Sequence, residues 1–142
     1  MTTTALPAAR TTLKATLTAV GIAAAGSLAV NTAIALGARA LGAPEEFQPL
    51  TLPVYGTLSV VGVLISAVAW RLVVARSRAA GRVLRVLVPV VLVLSLIPDV
   101  VLLATQGQPG TTATGVIALM LMHAGVAAVA VPAYRRFMPP RT

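Results

Sequence analysis

Four long apolar runs limit this chain to one kind of fold. They cover approximately Ala15 to Ala38, Val54 to Ala75, Val83 to Ala104 and Ala113 to Tyr134. A helix of about 20 apolar residues is long enough to cross the roughly 30 Å hydrocarbon core of a bilayer. The runs lack the polar and apolar alternation of a membrane β-barrel. The sequence therefore predicts an all-α, four-transmembrane-helix bundle that forms one membrane domain over residues 1–142.

The composition agrees with this prediction and removes several kinds of chemistry. Only 10% of the residues are charged and 58% are apolar, whereas soluble domains average about 25% charged residues. The absence of cysteine excludes disulfides and thiolate catalysis. With one histidine as well, the chain has few metal ligands, and we expect neither a metal nor a cofactor. The first run, about 24 residues long, exceeds the apolar region of a signal peptide, so we expect a retained helix.

The positive charges lie almost entirely on one side of the predicted bundle. Only Arg39 falls on the other side, next to Glu45 and Glu46. The remaining basic residues are Arg10, Lys14, Arg71, Arg76, Arg78, Arg82, Arg85, Arg135, Arg136 and Arg141. The positive-inside rule then predicts a multi-pass protein of the cytoplasmic (inner) membrane with both termini in the cytoplasm. Membrane lipids are the expected partners of these charges, and nucleic acid is not an expected partner.

The first run is rich in small residues at helical spacing. Two neighbouring rows recur at every fourth position: Ala25, Ala29, Ala33 and Gly37 in one, and Ala19, Ala23 and Ser27 in the other. Small residues at this spacing let membrane helices approach closely. We therefore expect this helix at the centre of the bundle. The alternative is that the stripe from Ala25 to Gly37 forms a homo-oligomer contact.

The aromatic residues suggest where the bundle meets the membrane interface. Trp70 and Tyr134 fall near the basic ends of their runs, where interfacial anchors are common. The connection from Arg39 to Pro53 contains three prolines and Phe47. This connection is either an ordered cap over the bundle or a solvated loop whose Phe47 lies in the interface.

Two ionisable residues lie inside the predicted spans, Asp99 in the third and His123 in the fourth. A charge at the bilayer centre costs roughly 2.5 to 3.5 kcal/mol on insertion scales, which makes each residue a candidate for function. Pro98 removes one helical hydrogen bond and predicts a kink beside Asp99. Counting along straight helices places Asp99 roughly 8 Å deep and His123 roughly 15 Å deep. This offset favours a shared cavity over a direct hydrogen bond.

Other polar residues fall at the same level and predict an outward-facing polar pocket. An acid and a base in such a dry pocket can cyclise, isomerise or hydrolyse a bound molecule. The active hypothesis is therefore binding or acid-base conversion of a hydrophobic lipid or isoprenoid, with Asp99 as proton donor and His123 as its partner. The expected substrate-binding residues are Asn31, Tyr55, Ser95, Ser27, Ser59, Glu45 and Glu46.

Three other interpretations stay open. Asp99 and His123 can act as polar contacts that lock the helices together in a structural or partner-binding subunit. A proton or ion pathway is less favoured, because no titratable residue continues the path toward the cytoplasm. A metal site formed by His123, Asp99 and a loop glutamate is the least favoured interpretation, because the chain has one histidine and no cysteine as ligands.

The motifs Pro98-Asp99, Met122-His123 and Val131-Pro132 give the chain a family resemblance. It resembles a family of small four-helix integral membrane proteins of unassigned function from actinobacteria. The resemblance covers nearly the whole chain and implies a topology but no reaction. In size and in its intramembrane acid, the chain is also similar to small membrane cyclases of bacterial terpenoid pathways, an analogy that no motif supports residue by residue.

Overall fold

The computed structural model describes residues 12–140, and its long segments are all helical. No β-strand occurs within residues 12–140. The helices are α1 (Leu13–Ala40), α2 (Leu52–Arg76), α3 (Ala80–Ser95), α4 (Ile97–Thr105) and α5 (Ala113–Phe137), with one 3-10 turn at Gln48–Leu50. Because α3 and α4 together form one membrane-length helix, four helices are long and apolar enough to cross a bilayer. The predicted all-α bundle of an integral membrane protein is confirmed.

The third membrane helix is broken at Leu96, three residues before Asp99. Leu96 lies in a turn between α3 and α4, and Pro98 occupies the first turn of α4. A proline there is tolerated because the first amides of a helix have no intrahelical partner. Pro89, by contrast, stays inside α3 without ending it. The kink predicted beside Asp99 is therefore confirmed as a break in the helix.

The central helices α1 and α5 approach each other closely through glycine. A Cβ atom added to Gly26 of α1 would lie 2.6 Å from Cγ1 of Val129, and one added to Gly125 of α5 would lie 2.9 Å from Cγ1 of Val30. A side chain at either glycine would therefore force the facing valine to move. Helix α1 also packs against α2, which confirms its predicted central place.

Only one of the two rows of small residues on α1 faces the bundle. The buried face of the helix consists of Thr16, Ala19, Ala23, Ser27, Asn31, Ala35 and Ala38. The stripe of Ala25, Ala29, Ala33 and Gly37 lies on the opposite, exposed side. A Cβ atom added to Gly37 would have no other heavy atom within 4 Å. The stripe therefore does not contribute to packing within this chain.

The third membrane helix lies at the periphery of the bundle. Ala80 and Leu84 are the only buried residues of α3, and Asp99 is the only one of α4. Large aliphatic side chains such as Val86, Val93 and Leu94 are exposed along it, as expected of a surface in contact with lipid. Asp99 is thus the most buried residue of α4.

The end of the bundle that carries the connections 41–51 and 106–112, the loop end, is closed by an ordered cap. Phe47 is completely buried, and a Cβ atom on Gly115 would lie 2.8 Å from its ring. The guanidinium of Arg39 donates to the carbonyls of Pro44, of Ala43 at 3.4 Å and of Phe47 at 3.3 Å. The connection is therefore a cap, and the alternative that Phe47 is an interfacial anchor is wrong.

The opposite end, the basic end, contains a buried aromatic pair. The rings of Trp70 and Tyr134 lie 5.6 Å apart at 57°, and both residues are buried. The Trp70 indole donates to the Met138 carbonyl at 2.9 Å. The Tyr134 hydroxyl donates to the Val63 carbonyl at 2.7 Å and lies 2.9 Å from the Ser66 hydroxyl. The prediction that Trp70 and Tyr134 are interfacial anchors is wrong, because both pack inside the bundle.

The basic end carries the Lys and Arg residues that the sequence predicts on that side. Two of the predicted residues, Arg10 and Arg141, lie outside the described part of the chain. The described members flank the ends of the helices: Lys14, Arg71, Arg76, Arg78, Arg82, Arg85, Arg135 and Arg136. The described structure thus has one strongly cationic end and one capped end.

Candidate functional site

Helices α4 and α5 bring Asp99 and His123 into direct contact. His123 Nδ1 lies 3.2 Å from Asp99 Oδ2 and 2.9 Å from the carbonyl of Leu119, one turn earlier on α5. The two side chains are thus closer than their counted depths predict, although no hydrogen bond joins them, as expected. Depth counted along straight helices ignores helix tilt and the break at Leu96, and the remaining offset is within the reach of the two side chains.

The two acceptors around Nδ1 determine where the imidazole proton lies. A backbone carbonyl can only accept a hydrogen bond, so the bond to Leu119 requires a hydrogen on Nδ1. We assign this tautomer to His123 on that ground. The Nδ1 hydrogen is directed at the carbonyl, which leaves Asp99 Oδ2 in contact with the ring but without a full hydrogen bond. In the neutral ring Nε2 then carries the lone pair and is free to accept a proton.

The two members of the pair differ sharply in exposure. The Asp99 side chain is 8% exposed and the His123 side chain 40% exposed. The carboxylate is therefore enclosed by the protein, whereas part of the imidazole faces outward from the bundle. Any molecule that reaches this pair meets His123 first.

A second polar group joins α1 to α2. The Asn31 amide donates to Ser59 Oγ at 2.8 Å, and Ser59 Oγ donates to the Tyr55 carbonyl at 2.6 Å. The Tyr55 hydroxyl lies 3.0 Å from the Thr32 hydroxyl. Sequence reasoning missed Thr32, although it directly follows Asn31. We call Asn31, Thr32, Tyr55 and Ser59 the α1–α2 clamp, since they mainly satisfy one another.

Among the side chains of residues 12–140, three buried oxygens have no hydrogen-bond partner: Ser27 Oγ, Asn31 Oδ1 and Asp99 Oδ2. Such atoms are uncommon in folded proteins and often mark a functional position. Asn31 Oδ1 lies 3.4 Å from the Cβ position of Gly125, so it faces α5. Between residues 12 and 140, no hydrogen bond connects the α1–α2 clamp to the Asp99–His123 pair.

The other residues predicted for the site lie elsewhere. Ser95 donates to the Leu92 carbonyl of its own helix at 2.7 Å. Glu45 and Glu46 are exposed on the cap, where Glu46 Oε2 lies 3.3 Å from the Cβ position of Gly110. The structure thus separates the predicted polar pocket into an acid-base pair, a clamp and an exposed acidic loop.

Two shallow, open grooves of about 440 Å³ each lie on the surface of the bundle, and neither includes Asp99 or His123. One lies between α1 and α2, lined by Leu28, Leu52, Pro53, Gly56, Thr57, Val60 and Val61. The other follows α3 and is lined by Arg82, Val83, Val86, Leu87 and Val90. Within residues 12–140, no three His, Cys, Asp or Glu residues cluster in a way that could hold a metal ion.

Comparison with known proteins gives a family without a known activity. No curated protein and no solved structure matches the chain significantly. Residues 8–139 match the sequence model of DUF6069, which is described as a family of unknown function. Because this match covers most of the chain, the protein belongs to the DUF6069 family.

Proposed function

We propose that Asp99 and His123 form an acid-base pair that binds and converts a lipophilic molecule, a lipid or an isoprenoid, within the membrane. One observation carries the proposal: a half-exposed imidazole contacts a buried carboxylate inside a membrane-spanning segment. A polar ring that faces hydrocarbon is costly unless it meets a polar group. The exposed side of His123 is therefore where we expect a polar group of another molecule.

The geometry favours roles opposite to those expected from the sequence. Asp99 contacts Nδ1 and is too enclosed to meet a large substrate. The bond to the Leu119 carbonyl orients the ring, and the carboxylate beside Nδ1 can stabilise its protonated form by charge. His123 Nε2 is then the atom that takes and returns a proton. Cyclisation, isomerisation and hydrolysis all need such a transfer across about 3 Å.

We further propose that the loop end faces away from the cytoplasm, in the inner membrane of the cell. Support comes from the charge distribution, because the basic end carries eight described Lys and Arg residues and the loop end carries Arg39. Both termini would then be cytoplasmic, and the acid-base pair would lie nearer the outer surface.

The test compares lipid extracts of cells that produce the wild-type protein, His123→Gln or Asp99→Asn. We expect one lipophilic species to accumulate in both variants relative to wild type, as the substrate of a blocked step. Ser95→Ala is the matched control, since this polar residue of the same membrane helix bonds only within its own helix. Thermal unfolding in detergent checks that all variants fold. Unchanged extracts from both folded variants would refute the acid-base proposal.

A second candidate function is supported by the outward position of the small-residue stripe. Ala25, Ala29, Ala33 and Gly37 are exposed on α1, and rows of this kind commonly form contacts between membrane helices. In this alternative the protein is a structural or partner-binding subunit that associates with a second copy.

The cysteine-free chain allows a direct test of this alternative. Ala29 and Ala124 are both exposed and both lie eleven residues from the loop-end terminus of their helices. We expect Ala29→Cys to form a disulfide-linked dimer in membranes under mild oxidation and Ala124→Cys not to do so. Equal cross-linking of both variants, or of neither, would rule out a contact through the stripe.

A further inference from the structure

The described arginines at the basic end form no ion pair with an Asp or Glu side chain of residues 12–140. The acidic residues of the chain are Glu45 and Glu46 on the cap and Asp99 inside the bundle. Among residues 12–140, the carboxylate contact is that of Asp99 with the His123 imidazole, and no Lys or Arg side chain lies within 4 Å of a carboxylate. Within residues 12–140, no Asp or Glu side chain therefore balances the charge of the basic end.

The groove along α3 is almost wholly apolar and has one arginine at one end of its lining. Arg82 stands at its cationic end, and Val83, Val86, Leu87 and Val90 form the rest of its lining. The eight steps along α3 from Arg82 to Val90 correspond to a rise of about 12 Å. One leaflet of the hydrocarbon core is about 15 Å thick, half of the roughly 30 Å total.

Two further arginines lie close to the cationic end of the groove. Arg85 follows Arg82 by three residues on α3, so both lie on one side of the helix. Arg78 lies in the short connection that precedes α3. All three are exposed. A guanidinium group binds phosphate through two parallel hydrogen bonds, which makes arginine well suited to a phosphate headgroup.

We propose that the α3 groove is a binding site for an anionic phospholipid. The phosphate lies at Arg82, flanked by Arg78 and Arg85, and one acyl chain follows the apolar wall to Val90. A zwitterionic lipid fits less well, because its headgroup cation is repelled by the same arginines. The site is independent of the Asp99–His123 pair. It also suits the loose attachment of α3, of which the protein itself buries only Ala80 and Leu84.

The experiment uses the full chain purified from nanodiscs that contain equal amounts of phosphatidylglycerol and phosphatidylcholine. Native mass spectrometry measures which lipid stays bound. We expect the wild-type protein to retain phosphatidylglycerol preferentially and Arg82→Gln to retain about tenfold less, as for the loss of a charged hydrogen bond. Val86→Trp, which fills the groove without changing the charge, should also lose retention.

The matched control is Arg135→Gln, which removes the same charge from the basic end but lies on α5. We expect this variant to behave as wild type. If Arg82→Gln and Arg135→Gln lower retention equally, the basic end attracts lipid only by its overall charge and the site does not exist. Equal retention of both lipids by the wild-type protein, or retention of neither, overturns the proposal as well.

Discussion

His123 is the residue on which the acid-base proposal depends, and it is the only histidine in the chain. The Leu119 carbonyl lies 2.9 Å from Nδ1, which assigns the proton to that atom. We expect solid-state NMR of protein labelled with ¹⁵N-histidine to show one neutral ring protonated at Nδ1. A spectrum with the proton at Nε2 would contradict the assignment and remove the free base from the exposed side.

A conservative change at Asp99 tests whether the carboxylate acts on the ring. Asp99→Asn keeps the size of the side chain but not its charge, so the protonated imidazole loses the group that stabilises it. By the same NMR measurement, we expect the ring-nitrogen shifts of His123 to change in the variant, because Nδ1 lies 3.2 Å from the altered group. Identical spectra would show that Asp99 does not act electrostatically on His123.

The sequence was enough to single out the two ionisable residues but not to assign their contact. Asp99 and His123 stand out because each is an isolated ionisable residue in an apolar run, which is a local property. Their contact depends on how α4 packs against α5 after the break at Leu96. No residue pattern predicts that packing. Tyr134 and Trp70 were misplaced for the same reason, since an aromatic near a helix end fits the interface and the interior equally well until its neighbours are known.

At the scale of helices, the packing of α1 on α5 is tested by two glycines of one helix. Gly26→Ala places a Cβ 2.6 Å from Val129 Cγ1, whereas Gly21→Ala meets no other heavy atom within 4 Å. We expect Gly26→Ala to lower the free energy of unfolding by about 1–3 kcal/mol, as for an overpacked core. Gly21→Ala should leave it unchanged or raise it by up to about 1 kcal/mol. Thermal unfolding in one detergent measures both, and equal effects would contradict the close approach.

The helices themselves were largely predictable, because the length of an apolar run and the effect of a proline are properties of the local sequence. All four membrane-length helices appear within a few residues of their expected ends, and the break falls beside Pro98. The orientation of α1 about its own axis was not predictable. Its two rows of small residues are chemically alike, and only the positions of α2 and α5 decide that Ala23 is buried and Ala25 exposed.

At the scale of the whole molecule, the proposed orientation can be tested at the two ends. Gln108 is exposed at the loop end and Ala79 at the basic end. Since the chain contains no cysteine, Gln108→Cys and Ala79→Cys each introduce a single thiol. We expect a membrane-impermeant maleimide to label Gln108→Cys in intact cells and Ala79→Cys only after permeabilisation. The reverse pattern would place the basic end outside.

The buried cap residue Phe47 affects how a ligand of His123 would have to be measured. Since the loop end is closed over Gly115, a molecule would approach the outward side of the imidazole laterally, after dissolving in the bilayer. Its relevant concentration is then a mole fraction among lipids and not a molarity in water. In proteoliposomes, the amount of ligand needed for half-saturation would rise in proportion to the total lipid. The same amount would suffice when only the buffer volume is changed.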